Sequence, residues 1–254
     1  MRRLAVPFIL AAALIGITAW MTSLGTVGIY RMPSWNEVLV ATFQHIQLVL
    51  AAEGLAILIG VPIGFVVSRR GLRWIGAPLM ALTNIGQTIP TLALLALTSI
   101  ILGSGFRAAV VGLLVYALLP IVRNTYAGIQ SVSPAVKEAA QGMGMSRWQL
   151  TSRVELPLAR PVVIAGIRTS MVVNVGTAAV AGMIGGIGLG KLITIGISVN
   201  VFELVIQGAA PAAALAILLD AALGLFERWM TPRGLRKDAP RVGRQTAKPA
   251  RGLT

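Results

Sequence analysis

Six stretches of this chain are long, apolar and nearly free of charge, and they leave few options for its fold. They run over Leu4–Met21, Ile46–Val67, Ile75–Leu102, Ala108–Val122, Val162–Ile184 and Leu204–Phe226. A helix that crosses the hydrocarbon core of a bilayer needs about 20 apolar residues. Each stretch is of that order, the fourth reaching it if it starts near Phe106. Strand-like alternation is absent, so the spans are helices rather than strands of a barrel. Hydrophobic residues make up 56% of the chain and charged residues 12%, whereas a water-exposed domain carries about 25% charged residues. The fold expected is all-α and polytopic, with about six transmembrane helices. With no cysteine in the chain, disulfides, thiol catalysis and cysteine metal sites are excluded.

A net charge of +14 could suggest nucleic acid, but the charges sort by side of a membrane. With the N-terminus inside, the cytoplasmic segments hold Arg2, Arg3, Arg69, Arg70, Arg73, Arg123, Lys137, Arg147, Arg153, Arg160, Arg168 and a basic C-terminal tail. The outside keeps only Arg31, Arg107 and Lys191. This bias predicts a multi-pass membrane protein with both termini cytoplasmic, and no nucleic-acid partner. Arg2 and Arg3 could also open a signal peptide, but no small-residue cleavage site precedes Trp20, so the first span is expected to be retained.

Three regions follow. Residues 1–44 form an N-terminal transmembrane helix and a mixed external linker containing Pro33, Trp35 and Glu37. Residues 45–227 form the main transmembrane domain. Residues 228–254, rich in Pro, Gly, Arg and Lys, read as a disordered cytoplasmic tail. Its basic residues, Arg233, Arg236 and Lys237 among them, would be drawn to membrane lipid by about 1 kcal/mol each near an anionic surface.

The longest polar island lies between the fourth and fifth spans. Ser133-Pro134 is a helix start, with a hydroxyl cap followed by proline at the first position. The helix would run through Glu138-Ala139-Ala140. Gly142 and Gly144 then allow a turn. Ser146 and Gln149 would form a capping box on a second short helix, which Pro157 and Pro161 would end. Two short helices joined at a glycine corner make a compact knob on the cytoplasmic side.

Within that island the pattern E-A-A-x3-G-x9-V-x-L-P, carried by Glu138, Ala139, Ala140, Gly144, Val154, Leu156 and Pro157, resembles the E-A-A loop of membrane subunits of binding-protein-dependent ATP-binding-cassette (ABC) importers. Val154 stands where the family usually has Ile. The run Asn84-x-x-Gln87-Thr88-Ile89-Pro90-Thr91-Leu92-Ala93 is similar to the osmoprotectant branch of these permeases, which serves glycine betaine, choline and carnitine. So are Tyr116-Ala117-Leu118-Leu119-Pro120-Ile121-Val122-Arg123-Asn124-Thr125-Tyr126 and Gly185-Gly186-Ile187-Gly188-Leu189-Gly190. The resemblance implies a MetI-like permease fold with a cytoplasmic coupling-helix loop over residues 131–161. It also implies that Glu138, Ala139, Ala140, Gly144 and Pro157 meet an ABC ATPase subunit. It further implies a second permease subunit, identical or homologous, and an external substrate-binding protein. ATP and Mg would belong to the ATPase, leaving this chain non-catalytic and without a cofactor.

Polar residues inside the spans point to a path. Thr83, Asn84, Gln87, Thr88 and Thr91 recur at helical spacing and are expected on one face of the third span. Polar side chains facing lipid are costly, so that face should meet protein or water. Pro90 is expected to bend the helix. Ser170, Asn174 and Thr177 repeat the idea in the fifth span, after Gly166, and Asn174 and Thr177 join the candidate path. Interhelical hydrogen bonding explains single members as well. Arg168 and Asp220, near the same end of the fifth and sixth spans, are a candidate intramembrane ion pair. Glu53 has no evident partner, and His45 reads as an interfacial residue of no special role.

One signal misleads. Gly185-x4-Gly190-Lys191 looks like a phosphate loop but has Leu192 where Ser or Thr would hold Mg²⁺, and it follows a membrane helix on the outside. A glycine-rich external loop near the binding protein fits better. Quaternary ammonium ligands favour aromatic cages, yet Trp20, Trp74, Trp148 and Trp229 sit near span ends, as interfacial anchors do. High-affinity selection is therefore expected on a separate binding protein. The reading is an importer permease for osmoprotectants. The alternatives are an ABC permease for another small solute, such as an amino acid or a sulfonate, and a stand-alone secondary transporter.

Overall fold

The computed structural model describes residues 2–230, without the side chains of residues 2–4, 70, 73 and 77. The segment 231–254, and with it most of the expected lipid-drawn tail, lies outside the described residues. The chain is helical almost throughout. Helix α1 spans Arg2–Ser23 and packs along the last helix, burying Ala11, Thr18 and Met21 on one stripe. A two-residue hairpin follows, with β1 (Thr26–Val27) antiparallel to β2 (Tyr30–Arg31).

Helix α2 runs over Trp35–Val67, eleven residues earlier than the apolar run suggested. Its start is set by a capping box: the Ser34 hydroxyl accepts from the Glu37 amide at 3.4 Å and the Glu37 carboxylate accepts from the Ser34 amide at 2.7 Å. The polar residues that looked like linker are thus the first turn of a long helix. Helices α3 (Arg73–Gly86) and α4 (Thr91–Leu102) replace the single third span and meet at 97°. Helix α5 covers Phe106–Gln130, and the short helices α6 (Pro134–Gly142) and α7 (Arg147–Leu150) form the polar island. Helix α8 (Leu156–Val180) continues through a 3-10 turn at Ala181–Ile184. Helix α9 (Leu189–Ser198) is short, and α10 (Phe202–Met230) is the last of the described helices. Among the described residues, five helices are long and apolar enough to cross a membrane, six if the bent α3–α4 pair is one span.

Side-chain contacts order the ends. Gln130 Nε2 donates to the Ser68 carbonyl at 2.9 Å, putting the ends of α2 and α5 together. Gln207 Nε2 donates to the Pro33 carbonyl at 2.9 Å, putting the starts of α2 and α10 together at the opposite end. Helices α2, α5 and α10 therefore run one way and α8 the other.

In lipid the surroundings are as apolar as the interior, so close packing rather than hydrophobic burial holds helices together. The tight contacts fall at small residues. A Cβ on Gly64 of α2 would lie 2.7 Å from Thr125 Cβ and the Val122 carbonyl of α5, and one on Gly166 of α8 would lie 2.4 Å from Asn124 Cβ. The main core forms where α2, α4, α5 and α8 converge, around Leu48, Leu95, Leu113 and Val175. Large apolar side chains such as Leu58, Ile100 and Phe202 point outward, as lipid contact requires.

Candidate functional site

The polar island folds as a two-helix knob, with Pro134 opening α6 as expected, but the Ser133 hydroxyl makes no cap hydrogen bond. Helix α6 carries Glu138 and Ala139 exposed and Ala140 buried. Gly144 then reverses the chain with φ of +80°, and no atom lies within 4 Å of where its Cβ would be. A side chain there is strained by the backbone alone, and it would point into open space. The Ser146 capping box is present: its amide donates to Gln149 Oε1 at 2.9 Å, and its hydroxyl accepts from the Gln149 amide at 3.3 Å. Met143 and Trp148, 71% and 74% exposed, leave an apolar surface beside Glu138.

Pro157 and Pro161 do not end the second short helix, contrary to expectation. Helix α7 passes through a π-turn at Thr151–Glu155 directly into α8. Proline has no amide to give, and the widened turn places Pro157 at the start of a new hydrogen-bonded register, where none is needed. Knob and membrane helix are one continuous rod, with Pro157 at the junction.

Beneath the knob lies a charge network that the sequence pattern did not single out. Glu155, the unspecified position between Val154 and Leu156, has a side chain only 5% exposed. Its Oε2 accepts from Arg69 Nη1 at 2.7 Å and from Thr151 Oγ1 at 3.3 Å, and its Oε1 faces Lys137 Nζ at 3.3 Å. Arg69 also donates to Thr151 Oγ1 at 2.9 Å and lies 3.9 Å over the Phe65 ring. Lys137 donates to the Ile129 carbonyl at 3.1 Å. These residues border a cavity of about 880 Å³ that is open toward the knob and also lined by Glu138, Arg147 and Trp148.

The third-span residues do not share one helical face, because the helix breaks between them. Thr83 and Asn84 end α3, Gln87 and Thr88 lie in the turn, and Thr91 opens α4. Proline at position 90 withholds the amide that would continue the α ladder. The Ile89 amide takes the Gly86 carbonyl instead, and Tyr116 of α5 donates its hydroxyl to the Ile89 carbonyl. Thr83 is buried, Thr91 half-buried, and Asn84, Gln87 and Thr88 stand exposed on the protomer.

Asn174 and Thr177 sit elsewhere. Thr177 donates to the Val173 carbonyl of its own helix at 2.9 Å. Asn174 is fully buried, and its Nδ2 donates to Glu53 Oε2 at 2.9 Å. Glu53 thus has partners after all. Ser170 Oγ lies 3.1 Å from both the same carboxylate oxygen and the Ala117 carbonyl, so α2, α5 and α8 meet at one buried polar cluster. Glu53 Oε1 and Asn174 Oδ1, both buried acceptors, have no hydrogen-bond partner among the described residues. His45 is fully buried, not interfacial, and its Nε2 donates to the Val175 carbonyl at 3.0 Å.

Arg168 and Asp220 do pair, through two parallel bonds, Nε to Oδ1 at 2.7 Å and Nη2 to Oδ2 at 2.8 Å. Glu227 joins them, accepting from Nη1 at 3.1 Å. The pair ties α8 to α10. The Gly185–Lys191 run is packed tight: the amides of Gly185, Gly186 and Lys191 bond the carbonyls of Gly182, Ala181 and Gly188. They are unavailable to a phosphate.

A bundle of membrane-crossing helices, interrupted by a two-helix polar knob rigidly continuous with one span, is the architecture of an importer's membrane subunit. The chain belongs to the family of binding-protein-dependent transport system inner membrane components, whose family model matches residues 60–232. It is 44% identical over 189 residues to the osmoprotectant import permease protein OsmY of Salmonella typhimurium, covering 74% of this chain and 80% of that one. It is 42% identical over 212 residues to OsmW of the same organism, covering 82% and 98%. To the choline transport system permease protein OpuBB of Bacillus subtilis it is 42% identical over 202 residues, covering 80% and 92%. Among solved structures, an inward-facing methionine ABC transporter, MetNI, is similar with a TM-score of 0.66 at 25% identity, covering 77% of this chain and 96% of that one. The chain is a multi-pass transport subunit of the inner membrane and not an enzyme; ATP hydrolysis belongs to a separate subunit of such importers, which also work with a binding protein.

Proposed function

We propose that this chain is the permease of an ATP-driven importer for glycine betaine, choline, carnitine or a related quaternary-ammonium osmoprotectant. The observation that carries the substrate class is identity of 42–44% to osmoprotectant and choline permeases across most of both chains. An amino-acid solute is the second reading, favoured by the fold likeness to the methionine transporter, but at lower identity.

Two permeases, identical or homologous, enclose the path. Glu138, Ala139, Ala140 and Gly144 enter a groove on the ATPase, with ATP and Mg²⁺ on that partner, and Pro157 marks where the knob joins α8. The exposure of Glu138 and of the Met143–Trp148 surface supports this docking. Asn84, Gln87 and Thr88 line the path. They are polar and exposed on the single protomer at a helix break, where a lipid neighbour would leave them unsatisfied. Thr83 and Thr91 flank them. Asn174 and Thr177 act from behind, holding the wall of the path rather than facing it. The knob and both termini lie in the cytoplasm, with the basic side inward. The binding protein delivers ligand at the opposite face.

Uptake of labelled glycine betaine by cells lacking the gene tests the substrate class. Restoration by the wild-type chain at high osmolarity supports it. No restoration, with the chain present beside its partner subunits, would refute it.

A further inference from the structure

We infer that Glu155 is a positioning residue that carries motion from the coupling knob into α2 and α8. This rests on the docking reading above and extends it inward. Within α6, Glu138 is exposed, while its half-buried neighbour Lys137 turns under the knob to Glu155. The carboxylate sits on the π-turn that joins the knob to α8, and its other oxygen holds Arg69, just beyond the end of α2. One buried carboxylate therefore bonds to the docking helix, to the end of α2 and, through its own backbone, to α8. Lys137 adds the last turn of α5 through the Ile129 carbonyl.

The electrostatics make the strut depend on its charge. Arg69 and Lys137 are two cations brought to one anion. Without that anion they repel each other, and their exposure of 35% and 23% lets water take them as they separate. Removing the carboxylate thus parts the knob from α2 without stranding a charge in a dry interior. Charge-assisted hydrogen bonds are also the stronger and shorter kind, suited to transmitting a displacement with little slack. A π-turn widens the helix by one residue and re-aims the side chains it carries, which turns Glu155 inward under the knob.

The test uses the complete transporter, with ATPase, both permeases and binding protein, reconstituted in liposomes. Import of labelled substrate and ATP hydrolysis are read together. Glu155→Gln is expected to assemble and hydrolyse ATP while import per ATP falls about tenfold, a typical coupling between two sites. The chain has no cysteine, so Arg69 and Lys137 can both be replaced by cysteine in the Glu155→Gln background and bridged with a bifunctional maleimide, which ties the knob to the end of α2 without the carboxylate, provided the partner subunits carry no reactive cysteine. The unbridged pair should be uncoupled and the bridged pair recoupled, a rescue that a merely stabilising contact would not produce. An unchanged ratio in Glu155→Gln, or bridging without recovery, overturns the inference. Gly144→Asp, run alongside, separates the two claims. If Gly144→Asp alone lowers the ratio, docking stands and the strut is wrong; if neither variant does, the docking reading has failed.

Discussion

At Gly144 the backbone and the surface make separate demands. Its φ of +80° favours glycine, yet the space beyond its Cα is open. Gly144→Asp should therefore insert in the membrane and keep its helices, at a backbone cost of about 1 kcal/mol, while placing a carboxylate on the docking surface. Import is expected to fall at least about tenfold, measured against the amount of chain in the membrane; normal import would remove the docking role. Glu53 makes a different prediction. Two buried acceptors, Glu53 Oε1 and Asn174 Oδ1, stand unpartnered beside a bonded pair of the same residues. Glu53→Gln brings an amide donor to that cluster and should be near neutral in thermal unfolding. Glu53→Ala leaves the Asn174 amide unpaired, while Ser170 keeps the Ala117 carbonyl, and should cost about 1–3 kcal/mol. Equal stability of the two variants would show that the cluster holds nothing together. None of these partnerships was legible in the chain, because Ser170 and Asn174 lie 117 and 121 residues from Glu53 and local spacing carries no information at that range.

Between helices, fit is the main adhesive. Gly166 of α8 approaches Asn124 of α5 so closely that any side chain must part them. Gly166→Val should lower stability by about 1–3 kcal/mol, the usual cost of overpacking, read as the unfolding midpoint in detergent. A midpoint equal to wild type would mean that α5 and α8 are not packed as described. The five long membrane helices were readable from hydropathy alone, but their ends were not, and α9 was not foreseen. The start of α2 was hidden because Glu37, polar and near Pro33, reads as linker until Ser34 and Glu37 are seen as a capping box. The third span was misread for another reason. Periodicity from Thr83 to Thr91 locates residues on a helix only if the axis is straight, and Pro90 turns the chain by 97°. The knob was the most legible element, since Pro134, the Ser146–Gln149 capping box and Gly144 are local signals. Its junction with α8 was not, since a π-turn has no such signature.

Among the described residues, three polar ties hold the helices to one another: the Arg69–Glu155–Lys137 network at the knob, the Glu53–Asn174 cluster in the core, and the Arg168–Asp220–Glu227 cluster between α8 and α10. All three include the α7–α8 rod, which under the proposed docking makes it the lever between an ATPase and the path. The Arg168–Asp220 pair was legible because both residues fall near one end of their spans; Glu155 was missed because a motif records the positions that match and passes over the one between. The central claim is that ATP hydrolysis on a separate chain drives a quaternary ammonium solute through this permease by way of the knob. Its most direct test is import of labelled glycine betaine into liposomes holding the full transporter, with ATP hydrolysis followed in the same vesicles, for wild type and Gly144→Asp. The account predicts import that requires ATP and binding protein in wild type, and hydrolysis without matching import in Gly144→Asp. Import by this chain without an ATPase, or equal import by both chains, would contradict it.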